Sequence, residues 1–351
     1  MHVDYIIVGQ GIAGTMLSHE LVKKGKNVLV IDNNRPDSSS KVASGLINPV
    51  TGKRHVKSWL VDELLPVAIN SYHAFEQEFD AQLLKETKII DMFASRDEAG
   101  NFANRLKESE FLQISNDPGP EHSFRFNYGL GNITPCYLVD LQLLLQTWRN
   151  HLIKHQSLLE EEFQLPELIF EDETIAYKRI KAQKIIFCGG VADLANPYFS
   201  MLPFSKNKGE ALIVSVPELT GDTVYKQGIK MAPWKNGLFW VGSSFDWKYD
   251  NTHPTSSFRN KIEEHLKYWL KLPFEVVGHI AAERPSTVDY KPFVGIHPKH
   301  PALGIFNGMG TKGCSQAPYF AKQFADHLVS NAPIDPQVDI NRFSKILSRT
   351  K

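Results

Sequence analysis

Apolar residues fall in short unbroken runs towards both ends of the chain and alternate with polar ones in its middle. Tyr5-Ile6-Ile7-Val8 is such a run, the pattern of a strand buried on both faces. It stops at Gly9. From Ile12 to Lys24 the spacing turns helical, with Ile12, Met16, Leu17, Leu21 and Val22 on one side and Gly25 as the stop. Asn27 to Ile31 is a second apolar run, ending at Asp32. Strand, helix and strand in this order predict a parallel pair with a right-handed crossover.

Arg35 to Thr51 is rich in Ser, Gly and Pro and predicts extended loop with a short helical turn. Val61 to Phe79 predicts a helix, kinked or delayed at Pro66. Thr87 to Phe93 reads as a strand. Cys136 to Leu152 reads as one long helix, striped by Leu138, Leu141, Leu144, Leu145 and Trp148. Ala182 to Cys188 predicts another buried strand, running into Gly189-Gly190. From Ala211 to Ser244 short alternating runs (ALIVSV, VYKQGIKM, GLFWVGSS) predict an antiparallel sheet, with Asn236-Gly237 as a hairpin turn. Ser257 to Trp269 predicts a helix and Leu303 to Phe306 a last strand. Gly308 to Gly313 and a closing helix over Ala317 to Leu328 follow.

The chain has 351 residues, long enough for two domains. Lys plus Arg and Asp plus Glu are equal at 39 each, so no excess of cations is available to neutralise nucleic-acid phosphates, and nucleic acid is not expected as a partner. Three widely spaced cysteines give neither a disulfide framework nor a paired-cysteine metal site. The histidines show no metal spacing, and no metal is expected. No apolar run approaches the length of a membrane span. A start at Met1-His2-Val3-Asp4 without a basic leader points to the cytoplasm. Nothing fixes the oligomeric state.

Gly9-Gln10-Gly11-Ile12-Ala13-Gly14 sits where the first strand meets the first helix. Gly9 allows the tight turn, Gly11 the approach of a pyrophosphate, and Gly14 the close packing of helix on strand. The helix N-terminus favours the anion. Asp32, at the end of the second strand, is placed to accept hydrogen bonds from ribose hydroxyls. This constellation predicts dinucleotide binding and leaves FAD and NAD open.

Four more segments carry a family resemblance: Ser38 to Pro49 (SSSKVASGLINP), Ala182 to Gly190 (AQKIIFCGG), Ala282-Glu283-Arg284-Pro285 with Asp289 and Pro292 beyond it, and Gly308 to Pro318 (GMGTKGCSQAP). With the fingerprint, their order and spacing resemble the D-amino-acid oxidase-like (DAO) family of FAD-dependent oxidoreductases. That group includes glycine oxidase, monomeric sarcosine oxidase and the oxidase part of a tRNA-modifying enzyme. The resemblance implies an α/β chain, α+β overall. A discontinuous Rossmann-type FAD-binding domain (1–82, 134–202 and 284–351) carries an inserted antiparallel-sheet substrate domain (83–133 and 203–283).

It also implies FAD held noncovalently, since Cys314 does not match the position of the covalent flavin cysteine of sarcosine oxidases. The cofactor would lie against Gly9, Gly11, Ile12, Ala13, Gly14, Asp32 and Asn33. The second motif adds Ser40, Ala43, Ser44, Gly45 and Leu46. The returning strand and last loop add Gly189, Gly190, Gly308, Gly310, Thr311, Lys312 and Gly313. Hydride passes from the carbon beside an amine to flavin N5, and negative charge gathers near N1, where Lys312 and loop amides would stabilise it. Arg284 would grip a substrate carboxylate with its guanidinium fork. Tyr225, Lys230, Trp234 and Tyr249, on or near the substrate-side sheet, are weaker candidates, and the aromatics among them read as packing. The chain departs from the family at Val191-Ala192-Asp193 and at Gly308-Met309, where it more often has an aromatic residue and a Gly-His pair. The expected activity is oxidation of a small amine or amino acid. An NAD-dependent dehydrogenase and a flavoenzyme related to tRNA modification are the alternatives.

Overall fold

The computed structural model describes residues 1–115, 118–171, 174–219 and 221–349. Two large sheets organise them. In the first, Val28–Ile31, His2–Val8, Ile180–Phe187 and Leu303–Asn307 run parallel in that order. All four therefore end on one edge, at Asp32, Gly9, Cys188 and Gly308. In open parallel sheets that edge is where ligands bind. The strands are buried throughout their C-terminal halves, which explains their unbroken apolar runs.

Helices Ile12–Lys23, Val61–Phe79, Leu141–Lys154 and Gly313–Ser330 cover this sheet through a core that includes Leu17, Leu21, Tyr72, Phe75, Trp148 and Phe324. Pro66 lies in the second turn of its helix, which continues unbroken to Phe79. The closing helix starts at Gly313, earlier than expected, so its first turn reaches the last glycine loop.

The second sheet has nine strands. Its central order is Glu275–Arg284, Asn207–Ser215, Leu238–Gly242, Ile229–Pro233, Val224–Gln227, Leu84–Met92 and Leu130–Val139. Asn236 and Gly237 turn the predicted hairpin, both with positive φ (53° and 72°), as a primed turn requires. Two expectations change. VYKQGIKM, read as one run, is itself a hairpin about Gly228, so Lys226 and Lys230 are cross-strand partners. The sheet is also not wholly antiparallel, because Val224–Gln227 runs parallel to Leu84–Met92.

The helix expected over Cys136 to Leu152 is strand over its first four residues, Cys136 to Val139. Leu130–Val139 pairs along the length of Leu84–Met92, and the helix begins only at Leu141. Asp140 marks the junction: its carboxylate accepts the Leu143 amide at 2.9 Å, an N-cap. The leucine stripe is common to both elements, and pairing with a distant strand overrides the local helical period.

The closest backbone approach is at the fingerprint. A methyl group on Gly14 would lie 1.8 Å from the Gly9 carbonyl oxygen. Gly14→Ala must therefore push the first helix off the first strand, with an expected loss of roughly 1–3 kcal/mol. Gly100, inside helix Arg96–Leu106, has nothing within 4 Å of the same methyl position. Gly100→Ala is expected to be neutral or stabilising by roughly 0.5–1 kcal/mol. Thermal unfolding of both variants checks the contrast.

Candidate functional site

One cavity of about 790 Å³ runs along the C-terminal edge of the first sheet and on to one face of the second. Its dinucleotide end is built by the fingerprint. Gly9 turns with φ +97°, and the first helix begins at Gly11 with no side-chain cap. Ser40, on the short helix Ser39–Val42, accepts the Ile12 amide at 3.0 Å and lies against Gly11. The loop after the second strand is thereby folded back over the helix N-terminus, where an anion is favoured.

Of the predicted residues, Gly9, Gly11, Ile12, Ala13, Asp32, Asn33, Ser40, Ala43, Ser44 and Leu46 line this cavity, and so do Gly189, Gly190, Gly310, Thr311, Lys312, Gly313 and Arg284. Gly14, Gly45 and Gly308 do not reach its wall. They serve the backbone beneath it: Gly45 and Gly308 have positive φ, and an added methyl would meet the Val139 oxygen at 2.0 Å and the Thr287 methyl at 2.6 Å.

Asp32 is more heavily engaged than the sequence suggested. One carboxylate oxygen accepts the Gln10 amide at 2.8 Å; the other accepts the Asn34 amide at 2.8 Å and Arg149 Nη1 at 2.9 Å. Arg149 is buried and also donates to Gln10 and Glu160. Nothing in the sequence singled out Arg149, which sits on a helix about a hundred residues away. Asp193, in the stretch that departs from the family pattern, also lines the cavity. It accepts the Gly189 amide and Asn307 Nδ2, and burial raises its carboxyl to about 7.

At the other end Lys312 points inward. Its ammonium donates to Asn48 O (3.1 Å), Asn48 Oδ1 (3.3 Å) and Ser58 Oγ (3.2 Å), all uncharged. Burial, with Lys230 nearby, pushes its pKa down to about 7. Arg284 ends its strand with its guanidinium laid across Gly209, 5.2 Å from the centre of the Phe245 ring. It donates to Asn207 Oδ1 at 2.8 Å and to Ser244 O at 3.3 Å. Among the described residues it has no carboxylate within ion-pair distance. Burial lowers it to about 10, opposed by Asp246. A structural salt bridge, the plain explanation for an arginine here, is therefore absent.

Tyr225 packs in the core on the far side of its sheet, as expected. Lys230, a weaker candidate on the substrate-side sheet, lines the cavity. Its cross-strand neighbour Lys226 is paired with Asp91 (2.5 Å) and Glu98 (3.2 Å). His55, Asp91 and Glu98 each place a potential metal ligand atom within 4.8 Å of the others, and the Lys226 ammonium already bonds both carboxylates.

A dinucleotide fold, joined to a second sheet whose cations face the same cavity, defines the class of a cofactor-dependent oxidoreductase. Residues 4–327 match the family described as DAO, FAD dependent oxidoreductase. The chain belongs to that family, and it is an FAD-dependent oxidoreductase. This bears out FAD, the expected cofactor, over the NAD alternative, and the glycine cradle, the helix N-terminus and the continuous cavity fit it. The tRNA 5-methylaminomethyl-2-thiouridine biosynthesis bifunctional protein MnmC of Marinobacter nauticus is 22% identical over 92% of this chain. The chain spans only 55% of that protein's length. Glycine oxidase from Geobacillus kaustophilus has the same fold, with TM-score 0.79, 17% identity and 98% of both chains covered. Iminodiacetate oxidase from Chelativorans sp. BNC1 gives 0.76 and 18%, over 97% of this chain and 98% of its own. Among the described residues no helix is long and apolar enough to cross a membrane.

The Lys312 value has a measurable consequence. In the flavin-free protein it lies below the ordinary 10.5. Between about 7 and about 10.5 the unfolded chain holds a proton that the folded chain lacks, so this residue makes stability rise with pH across that window. Lys312→Met is expected to flatten the rise. Melting temperatures of both flavin-free proteins at pH 7 and pH 9.5 check it; parallel slopes would contradict the burial of this ammonium.

Proposed function

We propose that the protein oxidises a small amine or amino acid bearing a carboxylate, with noncovalent FAD as the immediate electron acceptor. The observation that carries this reading is Arg284, a largely buried guanidinium facing the cavity with only uncharged acceptors. A substrate carboxylate supplies the missing counter-charge through two parallel hydrogen bonds. Two structures of the same fold are oxidases of glycine and of iminodiacetate, both amines with a carboxylate one carbon from nitrogen.

When bound, FAD supplies a two-electron acceptor that takes hydride at N5. The chain's own residues prepare that transfer. Arg284, Lys230 and Lys312 bring to one end of the cavity basic groups that no carboxylate among the described residues pairs, which disfavours an ammonium ion there and favours the free amine. A free amine has a lone pair to push hydride off the neighbouring carbon, so no strong general base is required. Lys312 is poised between charged and neutral near pH 7. Negative charge developing in the cavity draws a proton onto its Nζ, and Asn48 and Ser58 hold that ammonium in place. The imine product then hydrolyses in water.

The flavin bands of the purified protein are expected to bleach anaerobically with a carboxylate-bearing amine. Arg284→Met is expected to raise the substrate concentration needed by about tenfold or more, with flavin retained. An unchanged requirement would remove Arg284 from the substrate site.

Gly209 offers an independent check that leaves the charge in place. A methyl there would fall 1.7 Å from Arg284 Nη2. Gly209→Ala is expected to weaken the same substrates by displacing the guanidinium. Wild-type affinity in this variant would contradict the observed seat of Arg284.

A further inference from the structure

Lys230 is left without a role by the reading above. Arg284 takes a carboxylate and Lys312 answers charge at the flavin, yet a third cation faces the same space. Among the described residues Lys230 Nζ makes no hydrogen bond and no ion pair. The acidic groups on the same wall are already taken: Glu98 by Lys226, Glu210 by Lys208 and His279, and Glu283 by Lys206.

The sheet register fixes where Lys230 stands. Lys230 pairs with Gly242, Gly242 with Ala211, and Ala211 with Ile280. These four lie in one row across three strand spacings, about 14 Å. Arg284 lies four residues further along the last strand, on the same face, since side chains two and four apart share a face. Between the two cations the Trp240 indole lies over Gly242 and packs with Ala211 and Ile280, while Gly209 seats the Arg284 guanidinium itself. The two long side chains thus rise on either side of an apolar stretch of cavity wall. Lys230 is half-buried, and burial with Lys226 beside it disfavours its charge until an anion comes near. One anion seated at Arg284 leaves Lys230 uncompensated.

We propose that the substrate carries two anionic groups, one held by Arg284 and the second by Lys230, with the reacting amine between them. This rests on the reading of the site as an amine oxidase and narrows its substrates to amines with two acidic arms, or one acidic arm and an acidic side chain. Lys230 is then the residue that sets specificity. Gly242 and Ala211 are small because the Trp240 indole packs over them, which leaves the two cations as the polar groups on either side of an apolar wall. A second anion explains why Lys226, directly opposite Lys230, is neutralised by two carboxylates: it then meets one cation at that end.

The test uses the flavoprotein and a matched pair of unreactive ligands, thiodiacetate with two carboxylates and (methylthio)acetate with one. Binding is read from the shift of the flavin bands. The wild type is expected to bind thiodiacetate about tenfold or more tightly than (methylthio)acetate. Lys230→Met should erase that preference mainly by weakening the dianion, Lys230→Arg should keep it, and Arg284→Met should weaken both ligands. Melting temperature and flavin content show that the variants fold. Equal binding of the two ligands by the wild type, or equal weakening of both in Lys230→Met, overturns the proposal. Anaerobic bleaching with iminodiacetate and with sarcosine separates the two levels. Bleaching by sarcosine with no preference for thiodiacetate leaves amine oxidation standing and removes the second anion. A preference for thiodiacetate with no bleaching by either amine does the reverse.

Discussion

A lysine ammonium held only by uncharged oxygens sits where three distant parts of the chain meet. Lys312 comes from the loop before the last long helix, Asn48 and Ser58 from the segment after the second strand, and Lys230 from the second sheet. Its burial constrains everything around it. The Asn48–Ser58 segment must stay in place, and it is pinned by His55, whose Nε2 meets Asp91 at 2.8 Å inside the second sheet. Asp91 in turn holds Lys226. One network of hydrogen bonds and ion pairs therefore fastens the cofactor half of the cavity to the substrate half. A charge kept out of water in this way favours any step that brings negative charge to it.

The two sheets divide the remaining work. The parallel sheet gathers four strand ends on one edge and leaves a helix N-terminus open for an anion. The second sheet supplies a floor whose register sets the distance between cations. Glycines act at both ends for different reasons. Gly14 lets a helix meet a strand, while Gly209 lets the Arg284 guanidinium lie flat.

What the sequence reveals is local, and what it hides is long-range. The strand–helix–strand unit around Gly9, Gly11 and Gly14 is readable because its period, stop signals and fingerprint fall within about thirty residues. Arg284 and Lys312 are found through short motifs. Arg149 is missed because its partner Asp32 is 117 residues away and a helix stripe gives no hint of an inward arginine. Lys230 stands out only weakly because the turn at Gly228, which sets it opposite Lys226 and over the cavity, lies inside what looks like a single strand. Cys136 to Val139 is misread as helix because strand pairing outweighs a local 3.6-residue period.

The central claim is that the end of the cavity at Arg284, Lys230 and Lys312 holds cations that no carboxylate among the described residues pairs, and that a bound anion completes it. Proton uptake on binding tests this most directly. Calorimetric titration of the flavoprotein with (methylthio)acetate, in buffers of different ionisation enthalpy at pH 8, counts the protons taken up. Burial holds Lys312 well below the ordinary lysine range, and negative charge entering the cavity draws a proton onto it. The account predicts uptake of a substantial part of one proton, lost in Lys312→Met. No uptake in the wild type would contradict it.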